Sequence, residues 1–257
     1  MDLRHRIAVC GKGGVGKTFV TASMTKLLAD GDNLKILAVD ADPAVGLAPA
    51  LGVSVKKTVD DIRNDLINKI KKGEKDKSEI AAMLDYDVFD ALEEGHNFGV
   101  LAVGRPEEEG CYCQVNDLLK EIIESLSKNF DIVLIDGEAG IEQINRRVMK
   151  SVDDLVIVSD TSAKGINVAS TIRHVVEDRK AVNYKRIGLV INKVRNKEEV
   201  DQILGATSLE LLGWIPEDDM VREYDFNGKP IKDIPATSPS IVAVQGVLET
   251  LLDGTIP

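Results

Sequence analysis

At 257 residues, with 44% hydrophobic and 29% charged side chains, the chain is long enough for one large α/β domain and too evenly mixed to be disordered or fibrous. A formal charge of -11 leaves no general basic surface, which argues against a dominant role in coating nucleic acid. The first residues run straight into a short apolar strand and no apolar run reaches the length of a membrane span. A cytoplasmic protein is expected, without signal peptide or membrane contact, and its three cysteines then suggest packing, metal or redox chemistry more than disulfides.

Short β-branched runs follow one another along the chain, with helical patterns between them: Ile7 to Cys10, Lys35 to Val39, Val100 to Val103, Ile132 to Ile135, Leu155 to Ser159 and Ile187 to Ile191. This alternation predicts an α/β fold of three layers, a mainly parallel sheet with helices on both faces, in a single domain. The stretch from about 55 to 97 carries the lysine-rich run Lys69 to Lys77 and an apolar-periodic piece from Ile80 to Leu92, and reads as a helical insertion on the surface. The segment Gly104 to Gly110 reads as an exposed turn.

Each candidate site follows one of these strands. Gly11-Lys12-Gly13-Gly14-Val15-Gly16-Lys17-Thr18 lies between the strand Ile7 to Cys10 and a helical pattern from Phe19 to Ala29. Glycines let a backbone wrap phosphates so that successive N–H groups and the positive end of the following helix face the anion. Lys17 would bridge the β- and γ-phosphates of a nucleotide, and the Thr18 hydroxyl would bind Mg²⁺. Asp40 and Asp42 close the second strand at i, i+2 spacing, which predicts both carboxylates on one side of the chain. The run Ile132 to Ile135 ends in Asp136-Gly137-Glu138-Ala139-Gly140, where Asp136 would contact Mg²⁺ through water and Gly140 would offer its N–H to the γ-phosphate.

The run Lys12-Gly13-Gly14-Val15-Gly16-Lys17-Thr18 closely resembles the deviant phosphate loop of the MinD/ParA/nitrogenase-iron-protein group of P-loop ATPases. The resemblance implies binding of ATP and ADP between two protomers of a homodimer. Lys12 would reach the partner's nucleotide, Asp42 would position or polarise the attacking water, and Asp40 would help hold the hydration shell of Mg²⁺; Lys12, Lys17 and Asp42 are thus the expected catalytic residues. Relatives usually carry Thr-Pro where this chain has Gly137-Glu138, and a second Thr where it has Phe19, which is expected to pack against the sheet beside the nucleotide. Asn192-Lys193 and Ile215-Pro216-Glu217-Asp218 resemble the adenine-holding segments of the group, with Asn192 pairing to the base edge and Lys193, Pro216 and Asp218 close by. Residue spacing by itself leaves guanine open.

Cys111-Tyr112-Cys113 stands before a helix expected to begin near Gln114 or Asn116. In an extended segment its two thiols face one side, and a nearby helix start favours the thiolate. Two thiolates cannot close a tetrahedral metal site, but a two-fold dimer brings together four, suited to Zn²⁺, Ni²⁺ or an iron–sulfur alternative. Cys111 to Gln114, the phrase Asp136 to Glu142 and the run Val190 to Asn196 together resemble the CooC-type ATPases that insert nickel into carbon monoxide dehydrogenase. That resemblance covers essentially the whole chain and implies a Ni²⁺ or Zn²⁺ site shared across the dimer and a nickel enzyme as partner. A partitioning ATPase like ParA or MinD and an iron–sulfur reductase are the competing functions. The acidic charge and the final helical pattern, Pro239 to Leu252 with no Lys/Arg face, argue against the DNA or membrane binding of the first. Cys10, Trp214 and the histidines His5, His96 and His174 carry no expected function, with Cys10 and Trp214 read as packing residues.

Overall fold

The computed structural model describes residues 4–31, 34–71, 77–104, 113–137, 148–179 and 183–252. Its centre is an eight-stranded sheet in the order β3-β4-β2-β5-β1-β6-β7-β8. The strands are β1 (His5–Gly11), β2 (Ile36–Asp40), β3 (Glu93–Glu94), β4 (Phe98–Ala102), β5 (Ile132–Asp136), β6 (Asp154–Asp160), β7 (Arg186–Val194) and β8 (Glu210–Pro216). All neighbours pair in parallel except the short edge strand β3, which runs antiparallel to β4. The expected mainly parallel sheet is therefore present, and β3 and β8 are added to the strands read from the sequence.

Continuous apolar runs are what a parallel strand needs, because both faces are covered. Along β1 and β5 successive residues alternate between two cores. Ala8, Cys10, Val133 and Ile135 face one, with α3 (Val59–Lys71), α4 (Lys77–Asp90), α5 (Cys113–Ser127), α6 (Ala163–Arg179) and α7 (Lys197–Ala206) over it. Ile7, Val9, Ile132 and Leu134 face the other, under α1 (Lys17–Ala29), α2 (Leu47–Ala50) and α9 (Pro239–Leu251). A further helix, α8 (Asp219–Phe226), follows β8 at the end of the sheet where the strands finish.

The stretch 55–97, expected as a helical insertion, carries α3 and α4 among the described residues. A Thr58–Asp61 capping pair starts α3. Val59, Ile62, Leu66, Leu84, Val88 and Ala91 are then buried in the same core as the sheet, while Tyr86 and Phe89 stay in solvent. Trp214 is also not a core residue. It lies on the edge strand β8 at 42% exposure.

The connections from β1 to β2 and from β6 to β7 run to opposite sides of β1, so the strand order reverses beside it. Ligands of open α/β sheets bind at such a crevice, at the carboxyl ends of the strands. The glycine loop sits there.

Candidate functional site: a phosphate loop over two buried carboxylates

Gly11 ends β1 with φ +151, and a Cβ there would lie 2.1 Å from the Val158 carbonyl of neighbouring β6, so only glycine fits. The chain then turns through Gly14 and Gly16, both at positive φ, into α1. Gly16 caps α1 without a side-chain hydrogen bond, and the first turn holds no acidic residue. The leading N–H groups of the helix are thus left for an outside acceptor, and the helix dipole makes an anion the favoured one. Gly13 and Gly14 have open space where a Cβ would stand, which is the form of a cradle for phosphates.

Lys17 is buried, and its Nζ lies 3.3 Å from the Lys12 carbonyl. Thr18 donates its hydroxyl to Asp136 Oδ2 at 2.7 Å. Asp136 ends β5 in register with Val9 of β1 and Asp40 of β2, so the parallel sheet delivers two carboxylates side by side under the loop. Both are almost fully enclosed. Burial pushes Asp136 up to about 7; the Thr18 hydrogen bond opposes this and the neighbouring Asp40 charge adds to it. Burial likewise pushes Asp40 up to about 6 against the N–H groups of Leu47 and Asp42, which it accepts at 2.7 and 3.2 Å.

Asp40 and Asp42, expected on one side of the chain, differ in their surroundings, although the charge of each acts on Asp136. The strand stops at Asp40, so alternation does not carry through. Asp40 turns inward to the amides of its own turn, while half-buried Asp42 lines the cleft and accepts from Ala44 N. Among the described residues no group of three His, Cys, Asp or Glu side chains converges as a metal site. Thr18 and Asp136 are the contacting pair of the expected Mg²⁺ set.

A cleft of about 690 Å³ opens from the loop toward the end of the sheet, within the ordinary range for a small-molecule site. Gly13, Gly14, Gly16, Lys17, Thr18 and Phe19 line its loop end, and Phe19 is buried in the core of α1 and α9, as its packing role requires. Val15 is buried beneath, and Lys12 is half-buried outside the cleft lining. Asn192, Lys193, Pro216 and Asp218 also line it. Three of them hold protein groups that sequence reasoning missed, and Lys193 Nζ donates to Gly14 O at 3.0 Å. Asn192 Nδ2 donates to Val15 O at 2.8 Å. The Asp218 carboxylate caps α8 at Met220 N and accepts from both Ser238 and Ser240 at the start of α9. Burial raises the Asp218 carboxyl, but these hydrogen bonds outweigh it and leave it below the usual carboxylate value. The oxygens of Asp218 are thus engaged with the protein where it lines the cleft. The helix-start pattern Pro216-Glu217-Asp218 before an apolar-periodic stretch was the one available signal for the cap.

Cys113 opens α5, one residue ahead of the expected helix start. Cys111, Tyr112, Gly140 and the Arg105 to Gly110 turn lie outside the described residues. Cys10 is fully buried at the end of β1, where desolvation pushes its thiol up to about 12 and makes it an inert packing group.

A glycine loop feeding an uncapped helix at the strand-order reversal of a three-layer sheet defines a P-loop nucleotide-binding protein. A profile of the CobQ/CobB/MinD/ParA nucleotide-binding domain, CbiA, matches residues 7–231, and the chain belongs to this family of ATPase domains. It is 37% identical to an uncharacterized ATP-binding protein of Methanocaldococcus jannaschii, over 96% of this chain and 98% of that protein. It is 29% identical to the carbon monoxide dehydrogenase accessory protein CooC of Rhodospirillum rubrum, over 95% of this chain and 95% of that protein. Among solved structures it is similar to the cell-division ATPase MinD of Pyrococcus furiosus, with TM-score 0.68 and 25% identity, covering 97% of this chain and 98% of that one.

Proposed function

We propose that this protein is a homodimeric ATPase that carries nickel, or helps insert it, during maturation of a carbon monoxide dehydrogenase type enzyme. The observation that carries the ATPase half is the glycine loop over the uncapped start of α1, with Lys17, Thr18 and Asp136 at its base. Hard oxygen donors, the Thr18 hydroxyl and the Asp136 and Asp40 carboxylates, suit Mg²⁺, and their crowding in a dry pocket calls for positive charge. Bound there, Mg²⁺ would offset charge on the phosphates. Lys17 would hold the β- and γ-phosphates, Asp42 would orient the attacking water, and Lys12 would reach the nucleotide of the partner subunit as an arginine finger does elsewhere. Gly140 would sense the γ-phosphate, and Asn192, Lys193, Pro216 and Asp218 would form the adenine end.

The delivery half is supported by likeness to the Rhodospirillum rubrum accessory protein along nearly the whole of both chains, together with a Cys-x-Cys ending at the first residue of α5. Cys111 and Cys113 from two protomers would supply four thiolates to the cargo, Ni²⁺ or its stand-in Zn²⁺. ATP and metal, both bound across one two-fold interface, would then favour each other by linkage. A positioning or partitioning ATPase is the second reading, favoured by the likeness to MinD.

The deciding experiment is anaerobic light scattering behind gel filtration with elemental analysis of each peak, after loading with Ni²⁺ or Zn²⁺. One metal per dimer in wild type, absent from Cys111→Ser/Cys113→Ser, is the expected result. A metal-free wild-type dimer formed with ATP would transfer the assignment to the partition class.

A further inference from the structure

We propose that Asn192 and Lys193 are positioning residues that set the anion-binding face of the phosphate loop before nucleotide arrives, a task at the phosphate end of the cleft beyond their place at its adenine end. The inference rests on reading the loop as an ATP phosphate site. Asn192 Nδ2 donates to Val15 O at 2.8 Å, and Lys193 Nζ donates to Gly14 O at 3.0 Å, across 177 and 179 residues of sequence. Within a planar trans peptide the N–H points opposite to the C=O. Fixing the carbonyls of Gly14 and Val15 therefore fixes the N–H groups of Val15 and Gly16 in the opposite direction. A donor that must bind phosphate is then preset, and the loop gives up less freedom when the anion binds.

Three further features agree. Gly16 leaves room for the strut: a Cβ there would stand 2.3 Å from Asn192 Nδ2. Lys193 has φ +59, a left-handed conformation rare outside glycine, at an irregularity in the β7–β8 pairing between Ile191 and Val194. Such a conformation persists where the surroundings over-determine it. Asn192 supplies that constraint, because its Oδ1 accepts from Lys193 N at 2.9 Å while its Nδ2 holds the loop. One buried amide thus ties the end of β7, the bent lysine and the loop into a single unit.

Asn192→Ala removes the strut without changing charge. In the nucleotide-free full chain, deuterium uptake over residues 11–18 should be faster than in wild type, while uptake in the sheet stays unchanged. By calorimetry, tripolyphosphate affinity should fall about tenfold, the size expected for losing a buried hydrogen bond that organises the site. Adenosine affinity should change less. Unchanged loop exchange and unchanged tripolyphosphate affinity, with only adenosine weakened, would make Asn192 a base reader alone and overturn the proposal. Lys193→Gly guards against misfolding, since glycine accepts the left-handed backbone. It should weaken tripolyphosphate binding even at about 0.5 M salt, where loss of a bare charge is largely screened; an effect that vanishes with salt counts against the strut. A wild type that binds neither ATP nor tripolyphosphate removes the nucleotide reading, and loop exchange alone then decides whether the struts exist.

Discussion

At the amino ends of β1, β6 and β7, buried Asp154 accepts hydrogen bonds from His5 and, at 2.6 Å, from Arg186. The rest of the Arg186 guanidinium reaches the carbonyls of Thr250 and Leu251 at the end of α9. At the carboxyl ends of β2 and β5, Asp40 and Asp136 are just as enclosed, yet no Lys or Arg side chain forms an ion pair with either among the described residues. The consequences have opposite sign. Burial raises Asp154, but the His5 and Arg186 contacts outweigh it and hold its carboxyl below the usual value. Asp40 and Asp136 are pushed up to about 6 and about 7. One end of the sheet is completed by its own side chains, and the other is left incomplete in the way a cation and phosphates would complete it. Local order that costs stability is often found where a site must respond to a ligand.

The comparison is most sharply tested at Lys12. Lys12→Ala should leave ATP affinity within about threefold and reduce turnover by about 10³-fold, the lower end for a lost charge in trans. Steady-state hydrolysis at saturating ATP measures this, and turnover equal to wild type would remove the two-protomer sandwich. At the opposite end, Asp154→Ala should lower stability by about 3 kcal/mol in urea, because it removes the buried acceptor that His5 and Arg186 share, while ATP affinity is unchanged. A matching loss of ATP affinity would show that the two ends are not separate.

Asp136→Asn should do the reverse: abolish Mg²⁺-dependent nucleotide binding and raise the stability of the nucleotide-free protein at pH 8 by about 1 to 3 kcal/mol. The sign follows from the raised pKa. Between about pH 4 and 7 the native state holds a proton that the unfolded state has lost, so stability contributed by Asp136 falls as pH rises through about 7. Asp154, with a lowered pKa, contributes stability above pH 4 that is lost as pH falls further. Urea titrations from pH 4 to 8 should therefore show a smaller decline for Asp136→Asn than for wild type, and parallel curves would refute a raised Asp136 carboxyl. The smallest expected effect is at Trp214. Trp214→Gln should lower stability by about 1 kcal/mol, as suits an aromatic that is only partly buried on an edge strand.

The parts legible in the sequence are those whose cause is local. Six β-branched runs mark six of the strands because burial on both faces demands unbroken apolar residues, and the phosphate loop is readable because strand, glycines and helix adjoin. β8 escaped because Gly213 interrupts its run, and β3 because two residues carry no period. The different surroundings of Asp40 and Asp42 were not legible because the chain turns at the first of them. What stayed hidden depends on distant partners: the Asn192 contact with Val15, the tie from Asp218 to Ser238 and Ser240, and the clamp of His5 on Asp154, 149 residues away. Each joins ordinary polar residues whose meaning comes only from the strand order.

Trp214 has one more consequence. It is the chain's only tryptophan, partly exposed, and two residues along the same strand stands Pro216, in the wall of the cleft. Its emission is a built-in optical gauge: a shift in colour or intensity as nucleotide is added would report on the β8 wall in unlabelled protein, separately from any signal at the phosphate loop.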